Sequence, residues 1–316
     1  MGVKAQVLQS TADMEEKEWL ESRRKGIGGS DAAAIAGFNK WKSPVVVYME
    51  KIGEVKLESS NAEAAYWGNV METTVAQEFS KRTGLKVRKR NAILQHPEHE
   101  WMLANVDRLI VGHNEGLECK TASEYLKDEW DGEEIPIAYL LQCQHYMAVT
   151  GADAWWIAVL IGGNKFVYKK VERDEDLIQN LIALEKEFWE GNVLAQNPPE
   201  IDGSDASVDF IKAIYPDADP SSETELDSES DKLLEALEQI KREEKDLKTK
   251  RNEYENRLKQ KLATYEKGFT NQYVVTFKNQ ERRTVDSKRL KAEKPDLYEE
   301  YSKVSISRPL KFKEAK

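Results

Sequence analysis

The sequence predicts a mixed α/β domain followed by a long helix and a small α+β tail, and three observations carry that expectation. Apolar residues keep helical spacing through most of the first 83 residues, then switch to strand-like runs between Val87 and Thr121. Helical spacing returns after Pro136 and after Asp174, so helices precede, interrupt and follow a central sheet. Past Asn197-Pro198-Pro199 the chain turns acidic, and from Leu233 its apolar residues fall on alternating three- and four-residue steps.

The elements follow in order. Ser10 or Thr11 caps a helix through Trp19 and Leu20 to Arg23 and Arg24, with acids early and bases late as the helix dipole favours. Gly26-Ile27-Gly28-Gly29-Ser30-Asp31 reads as a glycine loop ending in an N-cap serine, with a short alanine-rich helix running on to Gly37. Pro44 opens a helix to Ile52, and Asn61 caps a longer one through Trp67, Val75 and Phe79 to Gly84. Val87 to Leu94, Trp101 to Val111 and Leu117 to Thr121 read as strands separated by turns. A helix from Pro136 to Gly151, a hairpin of Ala154 to Ile161 with Phe166 to Val171, and a helix from Asp174 to Gly191 complete the first domain. The expected boundaries are a domain over residues 1–199, an acidic linker over 200–231, and a coiled-coil-like helix with a basic module over 232–316. Within that module we expect a strand from Tyr273 to Phe277, a helix from Asp286 to Ser302 and a final strand from Ile306 to Phe312.

The chain has 316 residues, with 47 Lys and Arg against 57 Asp and Glu, a net charge of −10. That length supports about two domains and excludes a stapled miniature scaffold. The acidic balance repels nucleic acid and anionic membranes globally, so any such partner meets a local basic surface. Two cysteines, Cys119 and Cys143, exclude a disulfide framework and zinc ribbons and point to a reducing cytoplasm. No leader pattern opens the chain and no apolar run is long enough for a bilayer, so no membrane association is expected.

Asp107, Glu118 and Lys120 form the informative constellation. Ten residues separate Asp107 from Glu118, enough to leave one strand, turn at Gly112 to Gly116 and return beside it. Alternation places Glu118 and Lys120 on one face. Two acids beside a lysine suit a hard divalent cation such as Mg²⁺, with the Cys119 carbonyl as a further oxygen ligand. Lys120 then orients or deprotonates an attacking water, or neutralises developing charge, and as a base its pKa would fall. Glu72 is a candidate carboxylate for a second ion, and Gln142 and Gln144 can hydrogen-bond a water or a phosphate. Against this, Glu-x-Lys also occurs at Glu15, Glu54 and Glu243, where a solvated helical face is the meaning. His113 and His145 read as surface or structural histidines, and both cysteines as buried thiols.

Trp19-x3-Arg23-x3-Ile27-Gly28-Gly29-Ser30-Asp31, Trp67-Gly68-x3-Glu72, Asn105-Val106-Asp107, Leu117-Glu118-Cys119-Lys120 and Gln142-Cys143-Gln144-x-Tyr146-Met147 together resemble the YqaJ-type viral recombinases. These are phage lambda exonuclease-like members of the PD-(D/E)XK nuclease superfamily, and the resemblance spans roughly Trp19 to Glu190. It implies a restriction-endonuclease-like core in which Asp107, Glu118 and the Cys119 carbonyl bind Mg²⁺, with Mn²⁺ as a substitute. Lys120 is then the catalytic lysine, Glu72 and Gln142 assist, and Arg23 and Ser30 grip the 5′-phosphate of a DNA end. Val106 stands where the motif has proline, a change of backbone shape rather than chemistry.

The implied activity is 5′-to-3′ digestion of double-stranded DNA from its ends, leaving 3′ single strands for phage-type recombination. A trimeric ring, a single-strand annealing protein as partner, and a phage or prophage origin in a bacterial cytoplasm are implied with it. The competing expectations are a non-catalytic DNA-end-binding or scaffold protein on the same fold, and an endonuclease or RNA nuclease. The tail around Arg282 to Pro309 resembles extensions of phage homologues.

Overall fold

The computed structural model describes residues 4–54, 62–304 and 308–313. They form two compact units, Met1–Pro216 and Asp217–Lys316.

The first unit opens with strand β1 (Gln6–Ser10), where a helix cap was expected; its helix, α1 (Glu16–Arg23), starts later with Glu15 as N-cap. The correction has a long-range cause. β1 pairs antiparallel with residues 92–95, and the Thr11 amide donates to the Asn91 carbonyl at 3.1 Å, so this backbone is already committed to a sheet. After β2 (Ile27–Gly28) comes α2 (Gly29–Ile35). Its N-cap is Gly28, and Ser30 lies inside the first turn instead of capping it. The Asp31 carboxylate accepts the Gly28 amide at 3.1 Å and does the capping from within.

Helix α3 (Pro44–Ile52) keeps the expected bounds because Pro44 fits a first-turn position and Gly53 adopts φ 83°, the left-handed stop that glycine permits. Helix α4 (Ala62–Thr83) ends before Gly84 at φ 75°; its expected cap, Asn61, lies outside the described residues. The run read as one strand from Val87 is two, β3 (Val87–Lys89) and β4 (Ala92–Gln95), in different sheets. The next run likewise divides into β5 (Met102–Ala104) and β6 (Arg108–Ile110), with Asn105 to Asp107 as the crossing. Strand β7 (Glu115–Ala122) follows, then a 3₁₀ turn over Glu124–Trp130 and helix α5 (Ile137–Thr150). The hairpin β8 (Ala154–Ile161) and β9 (Lys165–Glu172) leads to α6 (Glu175–Phe188), capped by Asp174 on the Leu177 amide at 2.9 Å.

The main sheet has the order β3-β6-β7-β8-β9, with β7 and β8 parallel and the other pairs antiparallel. A second sheet runs β1-β4-β5-β2. Helix α4 covers one face of the main sheet through Val75, Ala76 and Phe79 against Ile110, Leu117 and Ala158. Helix α5 covers the other through Cys143, Tyr146 and Met147 with Trp155 and Val171. Each large side chain wholly withdrawn from water here contributes about 1.5–3 kcal/mol. This helix-flanked mixed sheet, with a parallel pair joined through α5, is the central mixed sheet flanked by helices that the sequence predicts.

Residues 200–216 do not behave as linker. Helix α7 (Asp205–Ile214) buries Phe210 against Val45 and Val46, so the first unit runs to Pro216. Apolar residues at helical spacing, Ala206, Phe210 and Ile214 with Val208 and Ile211, announce it among the acids. The second unit begins with α8 (Ser228–Leu262), capped by Asp227 on the Ser230 amide at 3.0 Å. A short hairpin, β10 (Lys267–Phe269) and β11 (Val274–Thr276), follows. The single tail helix expected from Asp286 is two, α9 (Ser287–Glu293) and α10 (Pro295–Glu300), because Pro295 has no amide to carry the first helix onward. Of the expected last strand, residues 305–307 lie outside the described residues and 308–313 are not in a strand. No helix among the described residues is long and apolar enough to cross a membrane.

Candidate active site

β6 and β7 pair only through Arg108 with Leu117 and Leu109 with Gly116. The chain before Arg108 peels away from β7, leaving the Cys119 amide to the Asp107 carboxylate, which accepts it at 2.8 Å. That hydrogen bond brings an acid from the crossing loop to the centre of the sheet. On β7, Leu117 and Cys119 face α4, while Glu118 and Lys120 face α5. Glu118 is buried; its Oε1 accepts from Gln142 Nε2 at 2.8 Å and from Lys120 Nζ at 2.5 Å. Its Oε2 is buried and has no hydrogen-bond partner among the described residues.

Electrostatics follow from this crowding. Burial, then the Glu118 charge, raise the Asp107 carboxyl well above the usual carboxylate range, against Lys120 and the Cys119 amide. Burial opposes the charge on Lys120, but Glu118 and Asp107 outweigh it and hold the ammonium above the usual lysine value. Burial and the same two acids push the Cys119 thiol up, in keeping with an inert thiol.

Arg23 and Ser30 come together: Arg23 Nη2 donates to Ser30 Oγ at 2.9 Å, and the guanidinium lies 4.8 Å from the Trp19 ring centroid. One cavity of about 250 Å³ is lined by Trp19, Arg23 and Ser30 together with Asp107 and Lys120. Gly29 and Tyr146 also line it, at close quarters: a Cβ on Gly29 would sit 2.5 Å from Tyr146 Cε1. Gln142 links Tyr146 to Glu118, donating to the Tyr146 hydroxyl at 2.8 Å as well as to Glu118.

Glu72 sits apart from this pairing, its carboxylate bonded to Arg108, which also donates to the Asp107 carbonyl at 2.8 Å. Among the described residues no three His, Cys, Asp or Glu side chains form a preformed metal cluster. The donors on offer are the two carboxylates and backbone oxygen. Gln144 is structural: it donates to the Glu172 carbonyl at 2.9 Å and accepts the Asp174 amide at 3.1 Å, joining β9 to α6. His145 is structural too, bonded to Glu185 at 2.8 Å and the Leu103 carbonyl at 2.9 Å.

The sequence reading passed over the support beneath Arg23. Asp31 is wholly buried and pairs with Lys51 at 2.6 Å and Lys42 at 2.8 Å, and Lys51 also donates to the Arg23 carbonyl at 3.0 Å. Tyr146 stood in the quoted motif but was given no role in the site, although its i, i+4 spacing from Gln142 on one helix was the available signal.

The arrangement defines a class, a helix-flanked mixed α/β fold carrying two acids and a lysine where its central strands diverge. A family model described as the YqaJ-like viral recombinase domain matches residues 18–153. The YqaJ protein of Bacillus subtilis (strain 168) is 42% identical over 313 residues, 98% of each chain. The chain belongs to the YqaJ-like viral recombinase family. Similar solved structures include an alkaline exonuclease of Laribacter hongkongensis, 18% identical over 63% of this chain and 98% of that one, with TM-score 0.47. A phage-related exonuclease of Haemophilus somnus is 14% identical over 54% of this chain and 96% of its own, with TM-score 0.43.

Proposed function

We propose that the chain is a divalent-metal-dependent exonuclease that digests double-stranded DNA from 5′-phosphorylated ends. The observation that carries this reading is that one cavity is lined both by Arg23 and Ser30 and by Asp107 and Lys120. Family membership supports action on DNA in recombination. The donor chemistry fits a hard cation: Asp107 and Glu118 crowd one another, and Glu118 Oε2 is buried without a partner. Asp107, Glu118 and the Cys119 carbonyl would hold Mg²⁺, or Mn²⁺ in its place. When bound, the cation supplies Lewis-acid polarisation of the phosphate and neutralises charge on the leaving oxygen.

The protein's own groups do the rest. Arg23 presents a guanidinium to the terminal phosphate, held in place by Trp19 and Ser30. Lys120, anchored on Glu118 Oε1, orients the attacking water and offsets negative charge at the scissile phosphate. Gln142 fixes the Glu118 carboxylate through Oε1, which leaves Oε2 without a partner among the described residues and available to a cation. Glu72 assists indirectly by holding Arg108 against the Asp107 backbone. A homo-oligomeric ring and a single-strand annealing partner belong to the same proposal, since enclosure lets a net-acidic chain retain DNA on a locally basic lining.

The test compares linear duplex with a 5′-phosphate, linear duplex with a 5′-hydroxyl, and closed circular duplex, each with Mg²⁺ or EDTA. The expected result is digestion of the phosphorylated linear form alone at full rate, with that preference lost in Arg23→Ala. Cleavage of the circle, or binding of ends without any hydrolysis, would favour an endonuclease or a scaffold instead.

A further inference from the structure

The second unit carries a surface for which digestion in the first has no use. Residues 267–316 hold thirteen Lys and Arg against seven Asp and Glu, in a chain whose net charge is −10. In the β10–β11 hairpin Lys267 pairs with Thr276 and Phe269 with Val274, which puts all four side chains on one face. That face is open, with Phe269 71% and Val274 59% exposed, and Tyr273 and Phe277 are exposed beside it. The opposite face is seated: Gly268 lies so close to Leu262 at the end of α8 that a Cβ would stand 2.7 Å from Leu262 Cδ2. The hairpin is thus fixed by one face with Phe269 on the other, and Tyr273 and Phe277, which alternation puts on the Gly268 side, are exposed where they flank β11.

Cations lie among those rings. Lys267 Nζ is 5.3 Å from the Phe269 ring centroid. Lys278 and Arg282 carry no ion pair among the described residues, and Arg283 meets only an exposed Glu281, at 3.9 Å. Exposed rings interleaved with unpaired cations suit a polyanion that also has flat apolar faces. A single nucleic-acid strand offers both, whereas a duplex hides its base faces and an acidic peptide has none. We propose that this hairpin and the basic segment after it bind single-stranded nucleic acid, with bases stacked on Phe269 and Tyr273 and phosphates met by Lys267, Lys278 and Arg282. The site is independent of the nuclease reading.

The experiment uses the full chain carrying Asp107→Ala, in EDTA, with a fluorescent oligothymidylate of roughly 30 nucleotides followed by anisotropy. Binding is expected to weaken steeply with salt. Phe269→Ala with Tyr273→Ala should weaken it about tenfold or more, and Phe269→Trp should keep it. Phe269→Leu preserves apolar bulk without a ring; it should bind more weakly while leaving the circular dichroism unchanged. Lys278→Ala with Arg282→Ala should lower the salt slope by about 1.4. Equal affinity for a duplex of the same length, equal competition by polyglutamate, undiminished binding by the Phe269→Leu or double aromatic variant, or no binding at all would each overturn the proposal.

Discussion

Glu118 shows how much a single side chain leaves to the fold. The sequence places it on a strand beside Lys120 and near Asp107, and the structure keeps that alternation. What the sequence could not supply is the partner list: Gln142 reaches Glu118 from 24 residues away, and Asp107 meets an amide rather than a side chain. Both are contacts of tertiary packing, invisible to local period. Ser30 is legible as a polar residue at a helix start, yet its role as N-cap passes to Gly28 because Asp31 already satisfies that amide.

His96 offers a pH prediction at this scale. Its Nδ1 accepts the Glu98 and His99 amides at 3.1 and 3.0 Å, a neutral-ring arrangement, and burial, then His99, push its pKa down to about 4. The unfolded chain binds the proton near pH 6.5, so this contribution is complete above that value and is lost as pH falls through about 4. His96→Asn keeps an acceptor for the two amides without titrating. Denaturant midpoints should therefore fall less steeply between pH 6.5 and 4 in the variant than in the parent; equal slopes would contradict the assignment.

At the scale of elements, the boundaries legible in the sequence are those with a local chemical cause. Pro44 and Gly53 bracket α3, and Asp174 caps α6, where the sequence places them. The misread elements are those decided elsewhere in the chain. Strands β3 and β4 follow one another with one strand-like period but join different sheets, and β1 exists because β4 offers it an edge. Strand β7 carries an unusual demand of its own. A Cβ on Gly116 would lie 2.2 Å from Cζ2 of the wholly buried Trp155, which has nowhere to move. Gly116→Ala should cost about 1–3 kcal/mol by overpacking. Gly191→Ala, where a Cβ would meet nothing within 4 Å, serves as the control and should be near neutral. Urea denaturation of the two variants checks this, and equal midpoints would contradict it.

For the whole molecule, composition indicates two bodies, but the boundary depends on Phe210 finding Val45 and Val46. A chain ended after Pro216 should fold cooperatively, since it retains both sheets and α7. One ended after Pro199 discards Phe210 and should melt earlier, and thermal unfolding of the two truncations tells them apart. The long helix α8 keeps the heptad seam visible in the sequence, with Leu233, Ile240, Leu247 and Tyr254 exposed at seven-residue intervals. Its charged interruptions, Glu244 and Arg251, explain why the seam reads as an imperfect coiled coil. The acidic total of the chain is likewise no guide to its local surfaces, since the basic residues gather past Lys267.

The most direct measurement is digestion of 5′-phosphorylated linear duplex by the parent, Asp107→Asn, Glu118→Gln and Lys120→Ala in Mg²⁺, with circular dichroism confirming the fold of each. All three variants should lose activity, Lys120→Ala by about 10²–10⁴-fold. Undiminished digestion by folded Asp107→Asn or Glu118→Gln would place the chemistry elsewhere.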